Sequence, residues 1–309
     1  MPELNDLQKQ LRRLAAERDA VILAHNYQRP EVQDAADFTG DSLELSRIAQ
    51  KDPHQTILFC GVHFMAETAY ILSPQKTVLM PDKRAGCPMA NMVTVAGLRK
   101  LKAEHPDAVV VAYVNTSADI KAETDVCCTS ANAVQIVERF PKGRKIIFVP
   151  DRNLGDYVAR QTGREETMIL WQGWCHVHDD FRAAEITEIR AANPGAVLMA
   201  HPESRREVLD IADVVTSTSG MLRYPGTSDA GTFIVATETG LLYRLGLLYP
   251  GKKFIPASNK AVCPNMKLTT LDKCIATLDD EWDDVLEHEV TVPEQTRVKA
   301  LHAVERMIA

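Results

Sequence analysis

Three of the seven cysteines stand at one fixed interval in the 309-residue sequence. Cys175 lies 88 residues after Cys87, and Cys263 lies 88 residues after Cys175. Each comes just beyond a predicted strand, in a loop with polar residues, glycine or proline. Soft thiolates bind Zn²⁺, Cu(I) or iron–sulfur clusters, and the sequence has no CxxC pair of the kind that closes structural zinc sites. The spacing therefore predicts a metal centre to which each third of the chain contributes one cysteine.

Other residues share the 88-residue register, which indicates an internal repeat. A repeat of this length suits a small α/β unit, and three units around a pseudo-threefold axis would place equivalent residues around one centre. The aligned positions are the apolar segments 21–24, 109–112 and 197–200, the residues that follow them (His25, Tyr113, His201), the aspartates Asp37, Asp125 and Asp213, and the hydroxyl residues Ser42, Ser130 and Thr218.

The elements predicted in each third follow one order, with short β-rich strands alternating with helices. This order is typical of parallel, three-layer αβα units, in which ligands bind beyond the carboxyl ends of the strands. The residues singled out here fall at those ends. The third and fourth strands of the units are predicted at 56–60 and 77–80, at 145–149 and 168–171, and at 232–235 and 253–255.

The repeat predicts three pseudo-symmetric units, at residues 1–97, 98–186 and 187–268, around the metal centre. The tail, residues 269–309, has no copy elsewhere, and we expect its helices to pack on the first unit. An acidic run at 279–289 is interpreted as a solvated face.

The composition is that of a soluble globular enzyme, with 45% hydrophobic and 25% charged residues and a net charge of −7. We expect neither a nucleic acid nor a membrane as partner, because the sequence has no basic block and no apolar run of membrane-spanning length. A cytoplasmic location is expected, where cysteines are thiols or metal ligands rather than disulfides.

Two kinds of metal centre fit the three cysteines. A [4Fe–4S] cluster held by three cysteines leaves one iron open to bind substrate as a Lewis acid. A catalytic zinc with His176 or His178 nearby would also leave a position open. Spacing alone does not choose between them. The other four cysteines (Cys60, Cys127, Cys128 and Cys274) are interpreted as small buried hydrophobic residues.

Two further sets of residues could serve a reaction. Ser42, Ser130 and Thr218 begin or precede helices, and the threefold register favours two roles for them together: capping the helix and binding an anionic substrate. The second set follows the first strand of each unit as pairs at i and i+2, which places both side chains on one side. Histidine and glutamate can act as general acid and base, and tyrosine can donate or relay a proton. These pairs are His25 with Tyr27, Tyr113 with Asn115, and His201 with Glu203.

Short motifs along the whole chain closely resemble the quinolinate synthase family, the A protein of de novo NAD biosynthesis. They are AHNYQ at 24–28, GDSL at 40–43, YVNTSA at 113–118, HPE at 201–203, STSGM at 217–221 and CPNM at 263–266. The resemblance implies three α/β domains around a [4Fe–4S] cluster with one non-cysteine iron. It also implies condensation of iminoaspartate with dihydroxyacetone phosphate to quinolinate, and coupling to an L-aspartate oxidase or dehydrogenase that supplies iminoaspartate.

The resemblance also implies roles for individual residues. Cys87, Cys175 and Cys263 match the cluster ligands, and Tyr27 matches a tyrosine implicated in catalysis. We expect Glu203, with Tyr27, Tyr113 and the histidines, to move protons. Some relatives carry a CxxCxxC run at the last cysteine, whereas Cys263 stands alone here. The positions that match substrate contacts are His25, Ser42, Tyr113, Asn115, Ser130, His201, Glu203 and Thr218.

Two other classes of protein share part of this pattern. An iron–sulfur hydro-lyase acting on hydroxy acids would use the same open iron without a phosphorylated triose. An iron–sulfur sensor or a zinc-stapled binding module would need no convergent histidine, tyrosine and glutamate.

Overall fold

A computed structural model describes residues 3–279 and 286–309. It contains three four-stranded sheets, and all strand pairs within them are parallel. In each sheet the strands lie in the order second, first, third, fourth, so the same topology occurs three times, as the repeat predicted. The strands are β1 (Ala20–His25), β2 (Phe38–Gly40), β3 (Thr56–Cys60), β4 (Thr77–Leu79), β5 (Val109–Tyr113), β6 (Val126–Cys128), β7 (Ile146–Val149), β8 (Met168–Leu170), β9 (Val197–Ala200), β10 (Val214–Val215), β11 (Thr232–Ala236) and β12 (Lys253–Pro256).

Helices connect the strands and cover both faces of the sheets. They are α1 (Asp6–Glu17), α2 (Pro30–Ala35), α3 (Ser42–Lys51), α4 (His63–Leu72), α5 (Val95–Glu104), α6 (Ala118–Lys121), α7 (Ala133–Glu138), α8 (Arg152–Thr162), α9 (His176–Asp179), α10 (Ala183–Ala191), α11 (Arg206–Leu209), α12 (Thr218–Arg223), α13 (Gly240–Leu248), α14 (Leu271–Asp279) and α15 (Glu294–Ile308). Single 3₁₀ turns lie at Ala90–Met92, Tyr224–Gly226, Met266–Leu268 and Leu286–His288. Within the described ranges, no helix is both long and apolar enough to cross a membrane.

The strands are apolar throughout because both faces of each sheet are buried. In β1, Val21 and Leu23 point into a central core that all three units share. Ile22 and Ala24 point the other way, into a layer formed with α1 and α14. This alternation follows from the two-residue period of a strand. The result is the three-layer αβα unit that the sequence predicted.

The repeated aspartates fasten the first strand of each unit. Each carboxylate accepts a hydrogen bond from a strand N–H, and the aspartate's own N–H donates to the carbonyl of the same strand residue. The carboxylate bonds are 2.9 Å from Ile22 to Asp37, 2.8 Å from Val110 to Asp125 and 2.8 Å from Leu198 to Asp213. Their role is therefore structural.

Three basic residues also stand at the 88-residue interval: Lys76, Arg164 and Lys252. They were not predicted from the sequence as part of the repeat. Each donates to carbonyl oxygens at or just beyond the end of a helix, which lack partners within the helix. Arg164 is 2% exposed and donates to the carbonyls of Phe140, Pro141 and Lys142. The repeat thus extends to the ends of helices far from the cysteines.

The tail packs on more than one unit. Helix α14 packs on α1, whereas α15 contacts α3 and α4 of the first unit and α6 and β6 of the second. The predicted unit boundaries after residues 97 and 186 fall inside α5 and α10, helices that precede the first strand of the next unit. We therefore propose boundaries before Val95 and Ala183. Most of the acidic run, residues 280–285, lies outside the described residues.

Candidate active site where the three units meet

The carboxyl ends of the strands face one cavity of about 780 Å³, a volume that includes its open mouth. This size is usual for small-molecule sites. All twelve residues predicted from the sequence as ligands, binding groups or catalysts line it. They are His25, Tyr27, Ser42, Cys87, Tyr113, Asn115, Ser130, Cys175, His201, Glu203, Thr218 and Cys263.

The pairs at i and i+2 in the first and third units are each placed by a turn of the same kind. His25 ends β1, and its ring Nδ1 accepts a hydrogen bond of 3.1 Å from the N–H of Tyr27. His201 follows β9, and in the same kind of turn the backbone N of Glu203 lies 3.4 Å from its Nδ1. The turn fixes both members of a pair on the cavity side, as the i, i+2 spacing predicted.

The hydroxyl residues lie at helix starts, but other residues do the capping. Asp41 caps α3 by accepting the N–H groups of Leu43 and Glu44, both at 3.0 Å, and Ser217 caps α12. The expected capping role of Ser42 and Thr218 is therefore wrong, since each is the first residue of its helix.

Because the three repeated hydroxyl groups do not cap helices, they are available to bind a ligand. Ser130 lies before α7, in a turn closed by Thr129 and Asn132. Among the described residues, the hydroxyls of Ser42, Ser130 and Thr218 have no hydrogen-bond partner, although all three residues line the cavity. Three hydroxyls beside helix starts favour an anionic ligand.

The three cavity cysteines are free thiols, and each precedes a helical turn. Nearby backbone N–H groups of these turns favour the thiolate form and act to lower the pKa: those of Ala90 and Met89 for Cys87, that of His178 for Cys175, and those of Met266 and Asn265 for Cys263. Burial outweighs these contacts and raises the pKa of Cys87 to about 12. The pKa of Cys175 and of Cys263 is also raised, mainly by burial. Such thiols become thiolates when a bound metal ion replaces the proton.

The spacing of the sulfurs distinguishes two kinds of metal centre. Thiolates on one tetrahedral zinc would lie about 3.8 Å apart, because the Zn–S bond is about 2.3 Å. The three cavity sulfurs do not all lie within 4.8 Å of one another. As placed here, the three cysteines are therefore too widely spaced to bind one tetrahedral zinc ion together. A different set, Cys175, His178 and Glu203, does lie within 4.8 Å and could hold one metal ion.

Glu203 is the centre of a buried cluster of ionisable groups. Its Oε2 atom lies 3.1 Å from Nδ1 of His201 and 3.2 Å from Nδ1 of His178, and the two imidazole rings stack at 4.5 Å. Burial opposes ionisation of Glu203, but the charges and hydrogen bonds of His178 and His201 outweigh it and lower its pKa. The other oxygen, Oε1, is buried and has no partner among the described residues. A carboxylate is thereby held with one oxygen free to accept a proton.

Thr237 connects this cluster to Tyr27. Its Oγ1 atom lies 2.9 Å from Nε2 of His178 and 2.5 Å from the Tyr27 hydroxyl. Burial raises the pKa of Tyr27 well above its ordinary value, so the phenol keeps its proton at neutral pH. Thr237 was not predicted from the sequence, and His178 was predicted only as a residue near a possible zinc ion. Thr237 has no repeated counterpart, since the residue 88 positions earlier is Val149.

His25 gives a prediction about stability in acid. Burial, with Lys267 and His201 nearby, lowers its pKa to about 3. Below pH 6.5 the unfolded chain therefore binds a proton at this residue that the folded protein does not. In the metal-free protein, this residue should lower the free energy of unfolding by about 1.4 kcal/mol for each pH unit from 6.5 towards 3. Denaturant unfolding of the wild type and His25→Gln measures it: the variant should show the shallower pH slope, and equal slopes would contradict the assignment.

The fold and the cavity define a class of protein: a threefold-repeated α/β protein with a central small-molecule site that contains thiols, imidazoles and a carboxylate. The family Quinolinate synthetase A protein matches residues 9–309. Three relatives are each named quinolinate synthase. That of Desulforudis audaxviator is 53% identical over 99% of this chain and 98% of its own, and that of Geobacter metallireducens is 51% identical over 99% and 98%. That of Methanoregula boonei is 51% identical over 98% of each chain. The chain belongs to this family, and it is an enzyme.

Proposed function

We propose that the protein is a quinolinate synthase of NAD biosynthesis, which condenses iminoaspartate with dihydroxyacetone phosphate to give quinolinate, phosphate and two waters. One observation carries the proposal: three thiols, three unpartnered hydroxyls and a buried carboxylate from three units line the same cavity. An L-aspartate oxidase or dehydrogenase would supply the unstable iminoaspartate.

Cys87, Cys175 and Cys263 would hold a [4Fe–4S] cluster, one cysteine to each of three irons. When bound, such a cluster offers an open iron that acts as a Lewis acid toward an oxygen or nitrogen of the substrate. The wide spacing of the sulfurs and the N–H groups directed at each of them support this assignment.

The substrates carry carboxylates and a phosphate, and the cavity offers matching donors. Ser42 and Thr218 would donate hydroxyl hydrogen bonds from the starts of α3 and α12. Ser130 would do so from the second unit. Asn115 lies in the same cavity, and its buried Oδ1 atom has no partner among the described residues, so the amide can accept a hydrogen bond from a ligand.

Isomerisation, ring closure and dehydration all move protons. Glu203 would accept a proton at its free Oε1 atom while His178 and His201 hold Oε2. Tyr27 would donate a proton from its hydroxyl, and Thr237 and His178 would relay its replacement. Burial also raises the pKa of Tyr113, which makes it a donor rather than a base.

Removal of the hydroxyls tests substrate binding. Ser42→Ala and Thr218→Val should each lower kcat/KM about 10- to 100-fold, because a hydrogen bond to a charged group contributes about 1.5–3 kcal/mol. Helix capping should survive, since Asp41 and Ser217 do the capping. Steady-state kinetics with each substrate varied measures the loss. Ser46→Ala is the matched control, because among the described residues that hydroxyl bonds to the Ser42 carbonyl alone. Unchanged kinetics in Ser42→Ala and Thr218→Val would exclude the binding role.

The proposed reaction has a direct assay. Anaerobically prepared protein, given iminoaspartate and dihydroxyacetone phosphate, should release phosphate and form a pyridine chromophore in equal amounts. An iron–sulfur hydro-lyase would instead act on a hydroxy acid without the triose phosphate. A zinc protein would be colourless and contain no labile sulfide. Failure to release phosphate from iron-loaded protein would overturn the proposed reaction.

A further inference from the structure

Two buried carboxylates occupy similar places in the second and third units. Asp151 lies two residues after β7, and Glu238 lies two residues after β11. Both are completely buried, at 0% exposure. Neither residue has a role in the proton steps described above. A buried carboxylate is stable only when its oxygens are paired, so the partners of these oxygens indicate its purpose.

Each carboxylate uses its two oxygens on two different peptide groups. Asp151 accepts the N–H of Leu154 in α8 at 2.7 Å and the N–H of Cys175 at 3.1 Å. Glu238 accepts the N–H of Gly240, the first residue of α13, at 2.7 Å and the N–H of Cys263 at 3.1 Å. Each residue therefore links a cavity cysteine to the start of a helix.

The first unit achieves the same link with backbone atoms. The residue two positions after β3, which corresponds to Asp151 and Glu238, is Val62. The N–H of His63, at the start of α4, donates to the carbonyl of Ala85 at 2.8 Å, in the loop that leads to Cys87. No side-chain carboxylate is needed there, so the carboxylate link belongs to Cys175 and Cys263.

Glu238 also connects the cysteine to Tyr27. Its Oε1 atom lies 3.1 Å from Nζ of Lys267, which donates to the backbone carbonyl of Tyr27. Gly240 permits this close packing, because a Cβ atom there would lie 2.7 Å from the Glu238 carboxylate and 2.8 Å from Lys267 Nζ. A change at Glu238 would thus disturb the Cys263 loop and the backbone of Tyr27 together.

We propose that Asp151 and Glu238 are positioning residues, which hold the Cys175 and Cys263 loops in the orientation needed to bind the cofactor; this inference rests on the proposed iron–sulfur function. An amide cannot replace either carboxylate, because its single oxygen can satisfy only one of the two N–H groups while its NH₂ group faces the other. Residues that orient metal ligands typically change metal affinity 10- to 100-fold when replaced.

The test compares Asp151→Asn and Glu238→Gln with the wild type, all reconstituted anaerobically with iron and sulfide. We expect both variants to lose iron to a chelator about 10- to 100-fold faster than the wild type. The matched control is Asp125→Asn, which loses a carboxylate that accepts the Val110 N–H through one oxygen and does not line the cavity. The control should behave as the wild type.

Conservative variants separate positioning from simple folding damage. Asp151→Glu and Glu238→Asp keep two acceptor oxygens and should retain iron longer than the amide variants, with thermal unfolding of the metal-free proteins measured alongside. Wild-type rates of iron loss in both amide variants would overturn the inference, as would conservative variants that lose iron as fast as the amide variants. A wild-type protein that binds no iron or sulfide would overturn the proposed function itself. Reconstitution of the wild type shows this before any variant is compared.

Discussion

Serine in place of Cys87, Cys175 or Cys263 is expected to abolish turnover and to remove most of the bound iron. Each cysteine is the only cysteine that its unit brings to the cavity, so no neighbouring thiol can replace it. A serine hydroxyl is a hard, weakly acidic ligand and binds iron poorly where a soft thiolate is required. Iron and labile sulfide are counted after anaerobic reconstitution, and phosphate release is followed in the same samples.

The matched control for the cysteine variants is Cys127→Ala. Cys127 is a buried thiol in β6 that does not line the cavity, so its loss should leave iron content and turnover near the wild-type values. A serine variant at Cys87, Cys175 or Cys263 that kept full iron content and turnover would remove that cysteine from the proposed ligand set.

Glu203→Gln is expected to slow turnover at least about 100-fold while the protein keeps its iron. The glutamine fills the same space between the two imidazoles but cannot accept a proton at the position of Oε1. The neutral side chain also loses the charge that His178 and His201 stabilise. A fall in kcat with little change in KM would identify a role in proton transfer rather than in binding.

The control for this variant is Glu207→Gln, at an exposed position on α11 only four residues away. It changes the net charge by the same amount and should not alter kcat. Near-normal turnover in Glu203→Gln would refute the assignment of Glu203 as the main acid and base. Loss of iron from that variant would instead indicate that the carboxylate belongs to the metal site with Cys175 and His178.

The sequence predicted most of the fold because the same pattern occurs three times. A single apolar segment such as 109–112 is weak grounds for a strand, but three copies followed by polar residues in one register are strong grounds. The repeat also predicted which residues converge, since equivalent positions close to a threefold axis lie around one centre. Helices were also expected in the tail, and they lie at Leu271–Asp279 and Glu294–Ile308.

The features of the site that the sequence did not predict depend on contacts that are not repeated in all three units. Thr237 bridges Tyr27 and His178 across units, and a threonine after an apolar strand gives no sign of this. Asp41 and Ser217, rather than Ser42 and Thr218, cap their helices. Capping propensity cannot choose between adjacent polar residues, because both types favour the position and the backbone angles decide. The paired roles of Asp151 and Glu238 were hidden because their side chains differ in length.

The central claim is that three units each contribute one thiolate to a single cluster and leave one iron for the substrate. Mössbauer spectroscopy of ⁵⁷Fe-reconstituted protein, before and after addition of quinolinate, tests it most directly. The account predicts about four irons and four sulfides per chain, with one iron changing its spectrum on ligand addition and the other three unchanged. Protein that carries zinc without sulfide, or a cluster in which no iron responds to the ligand, would contradict it.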